Sequence, residues 1–343
     1  MAGSRHHFIP RFLQKGFASH TSNKGVFTWV YRKALAPFNS NIINVGVEGN
    51  FYTKEQDSTL DDLITEAEGL FNTLIASLRA DKPRSLTDIN ISRLIAHLET
   101  RTRHLRENFV QTGESLLSEM LDFVSDEDAF VEYMIRKIQD DPSFLRKALA
   151  EAFENQGIPS SLLDLAMHLS MPLVPTLMQN QRSGFSNLVA ALRTIMPVIL
   201  RESAKTGHIK ALTSSIAPEP RVKRYQQLTY RLAHIDTPII LGDSIVLFEV
   251  EGNRKYKAWL DNNDVLIAVY LPVDSDKLLI GSINNKSISV PHDIREAIAS
   301  CSLEYFIASE KSPSNEILST QIGSNAMMLT RVEMDDSLKK AWS

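Results

Sequence analysis

The chain has 343 residues, of which 43% are hydrophobic and 23% are charged, with only 14 Gly and 14 Pro. This composition predicts a folded protein of about two domains and excludes collagen-like, low-complexity and largely disordered chains. The formal net charge of -4 excludes a nucleic-acid binder of the histone type, because the chain carries no overall positive field.

The cysteine content and the first residues predict a cytoplasmic protein. Cys301 is the single cysteine of the chain, so an intrachain disulfide cannot form, which is typical of a reducing compartment. The first residues lack the apolar core of a signal peptide, and no run approaches 18 uninterrupted apolar residues. We therefore expect no targeting segment and no membrane contact. We expect Cys301 to be a small buried side chain and not a nucleophile.

Residues 1–58 are predicted to form a β-rich arm. The β-branched and aromatic run 25–31 follows turn-forming residues, and 42–47 is a second short run of this kind. We expect these two runs to pair as strands.

Residues 59–217 are predicted to be helical. Apolar residues at helical spacing predict a helix over 60–78 and a second over 88–113. Further helices are expected between glycine and proline breaks, over 116–124, 129–139, 142–155, 160–169 and 185–202. Pro197 is expected to kink or break the last of them.

Residues 218–310 are predicted to form a mainly antiparallel sheet. Short β-rich runs at hairpin-like spacing occupy 238–241, 244–250, 265–271, 278–281 and 303–308, with one helix over 294–301. Residues 311–343 form a C-terminal tail, which we expect to be loosely ordered after Met334. This order of elements favours an α+β fold, in which the arm and the C-terminal sheet form one lobe and the helical region packs on it.

Several motifs follow one another along the chain. They are His6-His7-Phe8-Ile9-Pro10-Arg11-Phe12, Gly16-Phe17, the run 26–31, Val45-Gly46-Val47-Glu48-Gly49-Asn50-Phe51-Tyr52, the glutamate-bearing helix 60–78 and Gly242-Asp243-Ser244-Ile245-Val246. As an ordered set they resemble the bacterial family called domain of unknown function 4238, over most of the chain. Members of that family usually show Ser-Asp-Asn-Pro at the last motif, so Asp243 is kept and its neighbours differ. The resemblance implies no activity.

Helical geometry separates two glutamates of the helix 60–78. At about 100° per residue, Glu68 lies about 80° from the centre of the apolar stripe and Glu66 about 120° away on the other side. A charged tip at the edge of a stripe reaches a cleft while its stem packs. Glu68 is therefore the candidate site carboxylate. The alternative is an ion pair between Glu68 and an arginine of the next helix.

The same geometry sorts the charged residues of the helix 88–113. Glu99, Arg101 and Arg106 fall within about 80° of the centre of its apolar stripe. His97 and His104 are expected to face solvent.

Histidine, carboxylate and arginine side chains from distant segments are what a hydrolytic site needs. Imidazole and carboxylate groups act as acid, base or ligands of a divalent cation such as Mg²⁺ or Mn²⁺, and arginine binds phosphate. The candidate catalytic residues are His6, His7, Glu68 and Asp243. The candidate substrate-binding residues are Arg11, Arg101 and Tyr52. The alternative for the N-terminal motif is an ordered arm that docks its phenylalanines in the core.

Two functions remain open. The first is a hydrolytic effector of the toxin or phage-defence type, which acts on a phosphodiester or nucleotide and so binds nucleic acid or nucleotides. The second is a non-catalytic sensor or interaction module that binds a protein partner. A nuclease of the His-Asn-His type is less favoured, because the next segment offers only His20 and loop asparagines. Walker, Rossmann, zinc-ribbon and nucleophile-elbow motifs are absent.

A basic and aromatic patch follows the helical region. Arg221, Lys223 and Arg224 stand beside Tyr225, with Arg231 beyond. Such a patch could contact a phosphate backbone, but three close charges are more often a solvated edge.

Overall fold

The structure of the protein is a computed structural model that describes residues 5–52, 59–82, 86–180, 182–283 and 289–327, without the side chains of 182–186. The chain divides into two compact units, Met1–Thr112 with Ser203–Ser343, and Gly113–Glu202. The domain boundaries drawn from the sequence at 58, 217 and 310 stay predictions. The tail after Met334 lies outside the described residues.

Two antiparallel sheets of five strands form the first unit, with a small third sheet. In chain order the strands are β1 Arg5–His7, β2 His20–Ser22, β3 Gly25–Arg32, β4 Phe38–Asn41, β5 Val47–Gly49, β6 Thr229–His234, β7 Leu241–Gly242, β8 Leu247–Val250, β9 Tyr256–Lys257, β10 Leu266–Asp274, β11 Lys277–Ser282 and β12 Tyr305–Ala308. One five-stranded sheet has the strand order β6-β11-β10-β8-β9, and the other has the order β2-β3-β12-β7, with β4 paired to β3. The third sheet pairs β1 with β5.

The two ends of the chain meet in one sheet. Strand β3 of the arm pairs with β12, with Arg32 opposite Tyr305 and Trp29 opposite Ala308. The Thr28 hydroxyl strengthens this junction by donating to the Ala308 carbonyl at 3.1 Å. The antiparallel sheets and the helices between them confirm the α+β prediction. The two β-rich segments combine because each alone is too small to close a core.

Twelve α-helices are described. In chain order they are α1 Arg11–Gln14, α2 Thr59–Arg79, α3 Asn90–Thr100, α4 Arg103–Ser125, α5 Glu127–Asp140, α6 Ser143–Gln156, α7 Leu163–Ser170, α8 Val174–Asn180, α9 Arg182–Ser214, α10 Glu219–Gln226, α11 Ile294–Cys301 and α12 Pro313–Ser319. Pro197, which was expected to kink or break its helix, does not break it, since α9 continues through it.

Two predicted elements are wrong in detail. Residues 42–47 do not form the partner of β3, because Ile42–Asn44 is a 3₁₀ turn and β4 pairs with β3 instead. The Asn41 side chain accepts a hydrogen bond from the Ile43 amide and so starts this turn. The predicted helix 88–113 is two helices, α3 and α4, with a break between Thr100 and Arg103.

Arg79, the last residue of α2, bonds to the N-terminal arm and to β10. Arg79 Nη1 and Nη2 donate to the carbonyls of Phe12 and Leu13, both at 2.9 Å, and Nε donates to Val273 O at 2.7 Å. Gly16 is required beside it, because a Cβ there would collide with the Arg79 guanidinium and lie 2.7 Å from Val273 O. One side chain therefore joins three segments.

The core contains the residues that the arm contributes. Phe8, Phe12 and Phe17 are buried, as the docked-arm alternative expects. Cys301 is also buried and free, and burial raises the pKa of its thiol to about 12, which agrees with a packing role.

Candidate functional site

A buried arginine lies at the break between α3 and α4. Arg101 follows the last residue of α3, and its side chain is only 1% exposed. Nη1 donates to Glu68 Oε1 at 2.6 Å and to His97 Nε2 at 2.9 Å. Nε donates to the Tyr52 hydroxyl at 3.1 Å, and Nη2 donates to the His7 carbonyl. We call these five residues the Arg101 cluster.

The hydrogen bonds of Arg101 balance its buried charge within the fold. A buried guanidinium is stable only when its donors and its charge are matched, and here a carboxylate, a hydroxyl, an imidazole and a carbonyl match them. The Tyr52 hydroxyl is engaged in the same way, since it also donates to Arg101 O at 3.3 Å. The polar groups of both residues are therefore bonded within the fold, and the substrate-binding roles expected of them stay predictions. Glu68 forms an ion pair with Arg101, which lies within the helix predicted over 88–113 and directly after the observed α3, as the alternative expects.

His97 is fully buried, so the prediction that it faces solvent is wrong. Its Nδ1 lies 3.1 Å from Ile216 O and carries the proton, which leaves Nε2 to accept from Arg101. Burial, reinforced by the charge of Arg101, lowers the pKa of His97 to about 3. The prediction fails because α3 is covered all round, with Arg93 the one exposed residue among 91–100.

His104 is buried as well, against the same prediction. The break before Arg103 shifts the helical phase, so a wheel drawn from residue 88 no longer applies at His104. The Asn108 amide lies 3.1 Å from its Nδ1. Burial, together with the charge of Arg254, lowers the pKa of His104 to about 4.

A second arginine–histidine pair repeats the arrangement of Arg101 and His97. Arg106 Nη2 donates to Phe51 O at 2.8 Å and lies 3.4 Å from His208 Nδ1, while His208 Nε2 donates to Thr100 O at 2.7 Å. Burial lowers the pKa of His208 to about 4. The sequence places Arg106 near the apolar stripe, but no spacing connects it with a histidine 102 residues further on.

His7 is the half-buried member of the Arg101 cluster. Its Nδ1 lies 3.2 Å from Val45 O, which assigns the proton to Nδ1 and leaves Nε2 as an acceptor. Burial and the charges of Arg11 and Arg101 lower the pKa of His7 to about 4, although Glu68 raises it. The ring is therefore neutral at pH 7, and the positive charge of exposed Arg11 disfavours its protonated form.

His6 belongs to a different environment. The Tyr52 amide donates to His6 Nδ1 at 3.3 Å, so Nε2 carries the proton, and its nearest acceptor is Asp61 Oδ1 at 3.8 Å. Burial lowers the pKa of His6. Adjacent residues of β1 point to opposite faces of the strand, so His6 and His7 do not serve one site.

Asp243 acts on the backbone and is not part of the Arg101 cluster. Its carboxylate accepts from the amides of Leu303, Glu304 and Tyr305 at 2.7, 2.8 and 3.2 Å. Burial raises the pKa of this carboxyl to about 6, although the three amides lower it. The catalytic role predicted for Asp243 needs free carboxylate oxygens beside His7, and these oxygens are used to start β12. The catalytic role of Asp243 therefore stays a prediction.

Replacing Asp243 with alanine is expected to lower the free energy of unfolding by about 3 kcal/mol, because three amides lose their acceptor at a buried position. The measurement is urea unfolding at pH 7.5. Asp236→Ala is the matched control, since that carboxylate is exposed in the preceding loop. Equal unfolding midpoints for the two variants would contradict the anchoring role.

The basic patch is not a free solvated edge. Arg221 Nη2 donates to Leu260 O at 2.7 Å, and Arg224 donates to the carbonyls of Asp261 and Asp264. Fully buried Glu99 lies 3.4 Å from Arg221 and accepts from the Tyr225 hydroxyl at 2.6 Å. These contacts fix the loop after β9.

Two cavities lie beside strand β6, away from the predicted site residues. The larger, of about 390 Å³, is lined by Ser92, Gln226, Leu228 and Tyr230 among others, and the smaller, of about 160 Å³, by Leu232 and His234 among others. The Tyr230 hydroxyl is already bonded to Tyr225 O at 2.8 Å. No predicted site residue lines either cavity.

The described residues do not fit the divalent cation expected from the sequence. Within them, no three His, Cys, Asp or Glu side chains are grouped so as to hold a metal ion. At the predicted site, Glu68 Oε1 is already paired with the Arg101 guanidinium at 2.6 Å. We therefore derive no step through Mg²⁺ or Mn²⁺.

The structure therefore places four of the seven predicted site residues in the Arg101 cluster. His7, Tyr52, Glu68 and Arg101 belong to the cluster, His6 is bonded to Tyr52, and Arg11 acts on the charge of His7, whereas Asp243 lies elsewhere. Among known families, the one described as "Protein of unknown function (DUF4238)" matches residues 5–290. Neither the curated proteins nor the solved structures include a match to the chain.

Proposed function

The chain belongs to the DUF4238 family, and since that description assigns no activity, we propose from the site alone that it is a hydrolase of phosphodiesters that uses His7 as its base. The observation that carries this proposal is the bond from His7 Nδ1 to Val45 O. It presents Nε2, unprotonated at neutral pH, on a half-buried ring beside exposed Arg11.

The charges around His7 suit an anionic substrate. Arg11 disfavours the imidazolium form of His7, so a phosphate bound to Arg11 would cancel this repulsion and raise the pKa of the ring. His7 would then take the proton of the attacking water or hydroxyl as its oxygen bonds to phosphorus. It would return that proton to the leaving oxygen as the old P–O bond breaks. Glu68 favours the same imidazolium form.

The setting that we propose for this activity is a cytoplasmic effector against nucleic acid or nucleotides, of the toxin or phage-defence type. A buried, free Cys301 supports a reducing compartment.

The test is an activity screen with substitutions. Purified protein is incubated with mixed RNA, DNA and nucleotides, in EDTA and in Mg²⁺ or Mn²⁺. We expect His7→Gln to lower the rate by about 100-fold or more, because a general base contributes this much. Its unfolding midpoint should stay close to that of the unmodified chain, because the ring is half-buried and makes one side-chain bond.

Glu68 and Glu66 provide the controls. Glu68→Gln should lower both the rate and the stability, because buried Arg101 loses its charged partner. Glu66→Gln, on the exposed side of α2, should change neither. Hydrolysis at the full rate by the His7→Gln protein would rule out His7 as the base.

A second function is supported by the Arg101 cluster itself. Tyr52 and Arg101 of the cluster are buried and bonded to each other, and the Tyr52 amide also bonds to buried His6, which is typical of residues that serve folding. The protein would then be a non-catalytic sensor or interaction module. No hydrolysis under any condition of the screen, with the Arg101 cluster still needed for stability, would favour this function over the first.

A further inference from the structure

The second unit carries a row of exposed leucines. Leu165, Leu169, Leu173 and Leu177 follow one another every four residues along α7, a 3₁₀ turn and α8, and they are 56%, 59%, 54% and 53% exposed. We call these four residues the leucine ridge. Side chains spaced by four form one of the ridges through which helices pack on each other.

The other side of this helical stretch holds it in its own unit. Val174 is 3% exposed, α7 contacts α6, and α8 contacts α5. Arg146 of α6 bonds to Asp164 of α7 at 2.8 Å. The leucine ridge is therefore the face of this helical stretch that stays exposed when the opposite face packs within the unit.

Four half-exposed leucines amount to about 400 Å² of apolar surface, which is in the range of the largest patches on typical monomers. A stable contact between proteins covers about 800 Å² on each partner. The ridge would therefore form the apolar centre of such a contact, with polar neighbours at its rim.

The charges on and around the leucine ridge discriminate between a lipid surface and a protein as its binding partner. Gly113–Glu202 contains 13 acidic and 7 basic residues, which disfavours an anionic lipid surface. The stretch Ser160–Asn180 does have the length and mean hydropathy, 1.2, to cross a membrane by length and composition. Crossing would require it to leave α5, α6 and the bond to Arg146.

A second copy of the chain suits the ridge when the two stretches run antiparallel. The ridge is symmetric about residue 171, so Leu165 faces Leu177 of the other copy and Leu169 faces its Leu173. Asp164 is the one Asp, Glu, Lys or Arg in Ser160–Asn180. Antiparallel packing separates the two copies of Asp164 by about 21 Å, beyond the Debye length of about 8 Å, whereas parallel packing places them side by side.

We propose that the leucine ridge is the contact between two copies of this chain, packed antiparallel about a two-fold axis near residue 171. Such an axis makes the contact the same on both copies, which is the commonest symmetry of soluble oligomers. This proposal depends on neither function proposed above.

The first test is the mass of the full chain in solution, measured by light scattering over a range of micromolar concentrations. We expect twice the chain mass of 38.5 kDa for the unmodified protein and 38.5 kDa for the L169E/L173E variant. The control L35E/I317E places two charges at exposed positions of the first unit and should keep the doubled mass. Far-UV circular dichroism checks that both variants are folded. A monomer at every concentration for the unmodified chain would overturn the proposal.

The second test measures orientation by disulfide cross-linking. Antiparallel packing places residue 165 opposite residue 177 and separates the two copies of residue 165 by about 18 Å. A mixture of the L165C and L177C proteins should therefore cross-link, and L165C alone should not, since Cys301 is buried. Cross-linking of L165C alone would overturn the antiparallel arrangement. Binding of monomeric chain to phosphatidylcholine vesicles, lost in L169E/L173E, would assign the ridge to a membrane instead.

Discussion

Replacing Arg101 with methionine is expected to lower the free energy of unfolding by about 3–5 kcal/mol. The change removes a buried guanidinium and leaves the groups bonded to it without their partner. Glu68 loses its ion pair, while the Tyr52 hydroxyl, the His97 ring and the His7 carbonyl lose a donor. Methionine keeps much of the packing volume, so the loss reports the bonds. Urea unfolding at pH 7.5 measures it.

Arg136→Met is the control for this prediction. Arg136 also forms an ion pair with a glutamate, Glu132 at 2.8 Å, but both side chains are 68% exposed. Exposed pairs four residues apart on a helix contribute about 0.3–0.5 kcal/mol. If Arg101→Met and Arg136→Met cost the same, the Arg101 cluster does not hold the arm to the helices.

The second large effect is a loss of stability in mild acid. His97, His104 and His208 have pKa values lowered to about 3, 4 and 4, in each case chiefly by burial. The unfolded chain binds protons at these rings below about pH 6.5, and the folded chain does not until about pH 4. Stability should therefore fall as the pH falls from about 6.5 to 4. Asp243 and Glu99, whose pKa values burial raises, oppose this trend, whereas His6 and His7, whose pKa values burial lowers, add to it.

Two substitutions test the assignment of this acid sensitivity. Glutamine at position 208 can still donate to Thr100 O and accept from Arg106, but it does not titrate in this range. His208→Gln should therefore reduce the proton uptake on unfolding at pH 5 by about one, when unfolding is followed in urea between pH 4.5 and 7.5. His292→Gln, at an exposed position, should leave the dependence unchanged. A slope that is the same in both variants would show that buried His208 is not a source of the effect.

The helical spacing of α2 was sufficient to place its glutamates. Because one side of α2 packs and the other does not, the position on the helix determined that Glu68 is half-buried and that Glu66 is exposed. The same argument failed for His97, since α3 is enclosed on all sides and its polar face is covered by the chain near Ile216. A stripe in the sequence reports how apolar one face is. It does not report whether the other face is covered.

Backbone partners explain why other roles could not be predicted. Asp243 binds three consecutive amides, and Arg101 binds the carbonyl of His7. Every residue other than proline carries an amide, and every residue carries a carbonyl, so the sequence does not mark these partners. The α+β fold was predictable, in contrast, because it follows from the order of strongly patterned segments.

The pairing of β3 with β12 also constrains how the protein is made. Strand β3 ends at Arg32, and its partner is complete only at Ala308. At ribosomal rates of about 5–20 residues per second, the arm waits roughly 15 to 55 s for the strand that covers its edge. During that interval the edge of β3 at residues 29–32, which β12 later covers, is an open template for pairing with another nascent chain. We therefore expect the yield during synthesis to depend on chaperone protection of this edge as well as on the stability of the finished fold.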